Sequence, residues 1–172
     1  MKTMLLKAVP IWLLILSFAG GAQAQFENVY IGVNGLTCSQ CSRTVEMSIR
    51  KLSFVADVKM NLEHTEGTIV LKKNSKADME KIAQAVMNAG FSVRYLQADL
   101  HIDNSAVSSG ACLTYNGDQF VFAEAPKAPL AGTIKLKFIG KKYMPKSDFK
   151  KVEAHMSDKC GNATGKVYHV SM

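Results

Sequence analysis

The sequence predicts an α+β protein: a ferredoxin-like β-α-β-β-α-β domain followed by a smaller β-rich region. Three observations carry this. Between residues 28 and 95 the apolar spacing switches between the two-residue period of strands and the 3.6-residue period of helices, in the order β-α-β-β-α-β. A Ser/Asn/Asp-rich stretch at 99–110 then interrupts the pattern. Beyond it, short alternating runs separated by Gly, Pro and Asn dominate.

The first strand is expected at about 28–34, where Val29, Ile31 and Val33 alternate with polar or small neighbours. A helix follows at about 39–52, with Val45, Ser48, Ile49 and Leu52 on one face. Residues 55–62 read as a half-buried strand with Val58, Met60 and Leu62 inward. Residues 63–67 read as a turn, and 68–72 as a β-branched strand. Ser75-x-x-Asp78 is expected to cap a second helix whose apolar face is Met79, Ile82, Ala83 and Val86. Gly90 is the expected left-handed residue ending it. A short strand at 91–95 completes the unit. In the second region, 111–115 and 119–123 flank Asn116-Gly117-Asp118, a hairpin signal. Thr133 to Ile139 alternates Ile134, Leu136 and Phe138 with Lys135 and Lys137. A helix at 146–156 and a strand at 166–170 complete the chain. These short strands suggest a partly closed, five-stranded barrel of OB-like type.

The first residues carry a different signal. Lys2 and Lys7 precede an apolar run, Ala8 to Phe18, and then Gly20-Gly21-Ala22-Gln23-Ala24. This is the pattern of a cleavable secretory leader, with cleavage expected after Ala24. The run is too short to span a bilayer, and no later stretch is apolar for long enough. The organisation read from the sequence is therefore a leader at 1–24, a ferredoxin-like domain at 25–98, a linker at 99–110 and a β-rich domain at 111–172. The mature protein is expected in a periplasm or outside the cell, not spanning the membrane. Loss of Lys2 and Lys7 lowers the formal charge from +7 to about +5. Residues 100–172 hold ten lysines against six acidic residues. In an exported protein this reads as a solvated lysine face rather than a nucleic-acid surface.

The chemistry centres on Gly35-Leu36-Thr37-Cys38-Ser39-Gln40-Cys41. Two thiols three positions apart sit where a strand hands over to a helix. The unpaired amides and positive dipole end of the helix favour the thiolate. A thiolate binds soft metal, and it also attacks disulfides, so the residues leave both chemistries open. A structural disulfide is a third reading. Two thiolates suit Cu(I), with Hg(II), Zn(II) or Cd(II) as further candidates. A closed structural zinc site needs about four ligands. No paired carboxylates, Ser/His/Asp order or phosphate loop points to an enzyme.

With the later Asn88-Ala89-Gly90-Phe91, this motif resembles the heavy-metal-associated domain family of copper chaperones, copper-exporting ATPase domains and periplasmic mercury-binding proteins. The resemblance covers about residues 27–97. It implies that Cys38 and Cys41 are the metal ligands and that Leu36, Thr37 and Phe91 support the loop. Leu36 departs from the Met usual in that family. The resemblance implies metal transfer or detoxification, with a membrane metal transporter or ATPase as partner. A periplasmic thiol–disulfide oxidoreductase using the same pair is the alternative.

Cys112 and Cys160 are expected to form a disulfide in an oxidising compartment. A second metal site with His155, Met156 or His169 is the competing reading. Met60, Met79 and Met156 read as core filler. His64, His101 and His169 read as isolated. Asn162-x-Thr164 matches a glycosylation sequon without meaning in a bacterial-type context.

Overall fold

The computed structural model describes residues 26–102, 107–109, 111–127, 129–154, 156, 160 and 164–172. The expected leader, His155 and Asn162 lie outside the described residues. Strands β1 (Phe26–Asn34), β2 (Val55–Asn61), β3 (Glu66–Leu71) and β4 (Ser92–Ile102) alternate with helices α1 (Ser39–Arg50) and α2 (Met79–Asn88). They pair in the order β2-β3-β1-β4, all antiparallel. That is the split β-α-β arrangement the spacing predicts.

Each element has a local cause. Val29, Ile31 and Val33 of β1 are fully buried, and alternation leaves Asn28 half-buried and Asn34 exposed. Val45 and Ile49 bury one face of α1; Met79, Ile82, Ala83 and Val86 do so for α2. Leu62 is not an inward strand position: β2 stops at Asn61, and Leu62 is 39% exposed in the turn. The cap of α2 is Asp78 rather than Ser75. The Asp78 carboxylate accepts the N–H groups of Glu80 and Lys81, whereas the Ser75 hydroxyl donates back to the Lys72 carbonyl (2.6 Å).

The second region differs from its expectation. Its strands are β5 (Val107–Ser109), β6 (Cys112–Tyr115), β7 (Asp118–Phe122), β8 (Gly132–Ile139) and β9 (Val167–Ser171), with α3 at Lys146–Glu153. They do not close into an OB-like barrel. They extend the first sheet to nine strands, ordered β2-β3-β1-β4-β8-β9-β7-β6-β5. The junction is β4, which runs eleven residues instead of five. Its second half, Gln97 to Ile102, pairs antiparallel with β8. The expected linker therefore begins inside a strand at Asp99–Ile102, and Val107–Ser109 is strand as well. Its polar composition misled because Asp99 and His101 occupy the outward positions of β4, while Leu100 and Ile102 point inward and are buried. The Asn116-Gly117 hairpin forms as expected, both residues having positive φ (49° and 79°).

Phe26, Phe120, Phe138 and Tyr168 make edge and stacked contacts across β1, β7, β8 and β9. One core thus joins both regions. Ile139, next to Phe138 and so on the other face of β8, packs instead with Met144 and Phe149 of the α3 region. Polar contacts reinforce the join at the start of α2. The Lys166 ammonium sits 2.8 Å from Asp78 and 3.2 Å from Glu80, and Lys142 sits 3.0 Å from Glu80. Fully buried Asp118 takes Lys76 (2.7 Å) and the Lys166 N–H (2.9 Å). Burial works to raise Asp78, but Lys166 and the helix amides outweigh it and hold the carboxyl below its usual range. Hydrogen bonds from Lys142 and then Lys166 lower Glu80.

Candidate metal centre

The loop joining β1 to α1 is built by its backbone. Gly35 turns the chain with φ of +85°, a conformation that costs a side-chain-bearing residue. Thr37 donates its N–H back to the Gly35 carbonyl (2.9 Å). Leu36 points down and is 3% exposed; Thr37 stays in solvent. Cys38 follows in an extended conformation (φ −144°, ψ 157°) as the N-cap of α1. Its carbonyl accepts the Ser42 N–H (3.1 Å), and its sulfur accepts the Cys41 N–H (3.1 Å). A sulfur thus takes the part usually played by a Ser or Asp oxygen.

The two cysteines are not equivalent. Cys38 is exposed; Cys41, in the first turn, is half-buried and packs against the core. Their Cα atoms lie 5.2 Å apart, and their sulfurs are joined in a disulfide. The first turn of α1 contains no acidic residue, and exposed Arg43 follows. The local field therefore favours negative charge on sulfur.

Phe91 reaches the loop through the end of α2. Gly90 adopts φ of +89°. Its N–H donates to the Met87 carbonyl (2.9 Å), and the Phe91 N–H to Val86 (3.2 Å), closing a Schellman-type end. The half-buried Phe91 ring is thereby carried beside Gly35: a Cβ added there would lie 3.7 Å from it. The structure thus gathers Leu36, Thr37, Cys38, Cys41 and Phe91 at one corner. Gly90 is the positioning residue that the sequence reading named only as a helix end.

The other candidates lie elsewhere. Cys112, on β6, is joined to Cys160 with Cα atoms 5.9 Å apart. His101 contacts Thr133 (3.2 Å) and lies 3.8 Å from Glu27. His169 is on β9, and His64 is in the β2–β3 turn. Met79 is buried in the main core, Met60 packs against it, and Met156 packs on the α3 cluster. Among the described residues, no group of three or more His, Cys, Asp or Glu could hold a metal ion. The donor set at the loop, once reduced, is two sulfurs. That set fits a soft ion content with low coordination and does not fit a closed four-ligand zinc site.

A paired-thiol loop at the strand–helix corner of a split β-α-β sheet defines a compact class of α+β thiol proteins. The family model described as the heavy-metal-associated domain matches residues 31–92. The mercuric transport protein periplasmic component of Serratia marcescens is 32% identical over 68 residues, covering 40% of this chain and 74% of that protein. The chain belongs to the heavy-metal-associated domain family. Copper-transporting ATPase 1 of Rhizobium meliloti (strain 1021) is 37% identical over 67 residues, covering 39% of this chain but only 8% of the ATPase. Among solved structures, oxidised MerP from Ralstonia metallidurans CH34 is 30% identical, covering 39% of this chain and 94% of that one, with a TM-score of 0.36. The family match ends at residue 92, at the start of β4 and before the second region.

Proposed function

We propose that this chain is an exported carrier of a soft metal ion, Cu(I) first and Hg(II) second, that binds through Cys38 and Cys41. Zn(II) and Cd(II) are weaker candidates for the same pair. The observation that carries the reading is the corner itself: two sulfurs of one short loop, one exposed, at a helix N-terminus without acidic neighbours. The relatives support it, one being a periplasmic mercuric transport component and another a copper-transporting ATPase. Buried Leu36 holds the loop from within, exposed Thr37 ties it through its backbone N–H to Gly35, and Phe91 flanks it.

With two protein ligands, an incoming thiolate can add to the ion before a resident one leaves. Transfer then runs through three-coordinate intermediates, and no bond of a substrate is made or broken by turnover. We read the chain as a carrier rather than an enzyme, with a membrane metal transporter or ATPase as its partner. Export rests on the leader at 1–24 and places the carrier in a periplasm or outside the cell. No helix among the described residues is long and apolar enough to cross a membrane. The β-rich region at 111–172 buttresses the domain at β4, at the other end of that strand from Phe91 and the thiol loop.

The joined sulfurs favour a second reading, a periplasmic thiol–disulfide oxidoreductase. Anaerobic titration of reduced protein with Cu(I) against a competing chelator separates the two. The carrier reading expects one tightly held ion per chain, lost in Cys38→Ser and in Cys41→Ser. Catalytic reduction of a model disulfide without such binding would establish the oxidoreductase instead.

A further inference from the structure

We infer that the metal-free pair is opened by a dithiol reductant through attack on Cys38, not Cys41. This rests on the carrier reading, because a joined pair has no thiolates to give an ion and must be reduced before loading. Thiol–disulfide exchange requires the incoming sulfur to approach along the S–S axis, from beyond the sulfur it attacks. Cys38 is the outer sulfur: it is exposed, at the N-cap of α1. Cys41 is the inner one, half-buried and packed against the core. Cys38 is therefore the more open of the two to a thiolate arriving from solvent, while the core partly covers Cys41.

One feature opposes this order. The Cys41 N–H bonds the Cys38 sulfur at 3.1 Å and would steady Cys38 as a leaving thiolate. A hydrogen bond to a charged group biases such a choice by roughly tenfold or more, and the exposure of this one keeps it at the low end. The partial cover over Cys41 outweighs it, since access governs which sulfur is reached.

The step balances as follows. A reductant thiolate forms a bond to the Cys38 sulfur as the Cys38–Cys41 bond breaks. The electron pair leaves on Cys41, which takes a proton from water. The reductant's second thiolate then attacks its own sulfur in the mixed disulfide. That closes the reductant's disulfide and releases Cys38 as thiolate, now held by the Cys41 N–H. Two electrons pass from the dithiol to the pair.

The test uses the full mature chain, oxidised, with Cys112–Cys160 as internal reference. A brief pulse of glutathione followed by acid quench and alkylation traps the first mixed disulfide, which fragment-ion mass spectrometry assigns to one cysteine. The expected result is glutathione on Cys38 and the alkyl group on Cys41, by roughly tenfold or more. In parallel, reduced Cys41→Ser, which keeps only Cys38 at the loop, should react with an aromatic disulfide at least about tenfold faster than Cys38→Ser. Glutathione mainly on Cys41, equal labelling, equal variant rates, or a pair never found oxidised in protein purified without reductant would each overturn the inference. Cu(I) binding by the reduced chain is scored separately. Its absence, with labelling on Cys38 intact, would sink the carrier reading and leave the order of attack standing.

Discussion

Individual residues set the corner, and most of them were readable. Cys38 and Cys41 declared themselves by spacing, because nothing else in the chain places two thiols so close. Leu36 and Phe91 were read only through family likeness; their burial is a tertiary fact with no local signature. Gly90 was legible as a helix end, yet its consequence for Phe91 needed the structure. Gly90→Ala meets no neighbouring atom but forces a Cβ into φ of +89°. It should lower stability by about 1 kcal/mol, measured by urea unfolding. It should also weaken Cu(I) retention by the reduced chain, since Phe91 loses its anchor beside Gly35. Unchanged retention in a folded Gly90→Ala protein would show that Phe91 does not support the loop.

At the scale of elements, the helices and strands of the first half followed their apolar periods to within a few residues, except β4, which runs on to Ile102. The errors have physical causes. Ser75 carried the better-looking capping pattern, but its hydroxyl is spent on the Lys72 carbonyl, and Asp78 caps α2. Asp78 also holds Lys166, a partner 88 positions away that no local pattern reveals. Asp78→Ala should cost about 1 kcal/mol at pH 7 for the cap alone. The pH dependence has a definite sign. Asp78 and Glu80 titrate lower in the folded chain than their ordinary 3.8 and 4.5. Their contribution is therefore complete above those ordinary values and fades as pH falls through the lower folded ones. Asp78→Asn keeps a capping oxygen and removes the charge. Its urea midpoint should fall below wild type at pH 7, and the two should converge as pH is lowered beneath the ordinary 3.8 and through the lower folded value. A gap of constant size through that range would mean that the carboxylate charge contributes nothing.

For the whole molecule, the sequence suggested two separate units and the structure joins them in one sheet. The signal was present in Leu100 and Ile102, which continue the alternation of β4 beyond the point where Asp99, Asn104 and Ser105 suggest a linker. What could not be read is the partner: β8 lies thirty residues on, and strand pairing across such a distance leaves no local trace. Phe138 is fully buried against Phe26, Tyr143 and Tyr168. Phe138→Ala should cost about 3–5 kcal/mol. The loss should appear in one transition followed by both far-UV signal and hydrogen exchange in β1, because the core is shared. A chain ending at residue 98 loses Leu100, Ile102 and the β8 pairing. It should unfold at lower urea than the full chain; equal midpoints would show that the first unit stands alone.

The carrier reading itself is tested most directly by metal content. Full mature chain, reduced and titrated anaerobically with Cu(I) against a chelator of known affinity, should hold one ion per molecule, while a variant carrying both Cys38→Ser and Cys41→Ser should hold none. Equal uptake by the two proteins, or no uptake by the wild type with both loop thiols shown to be free, would contradict the account.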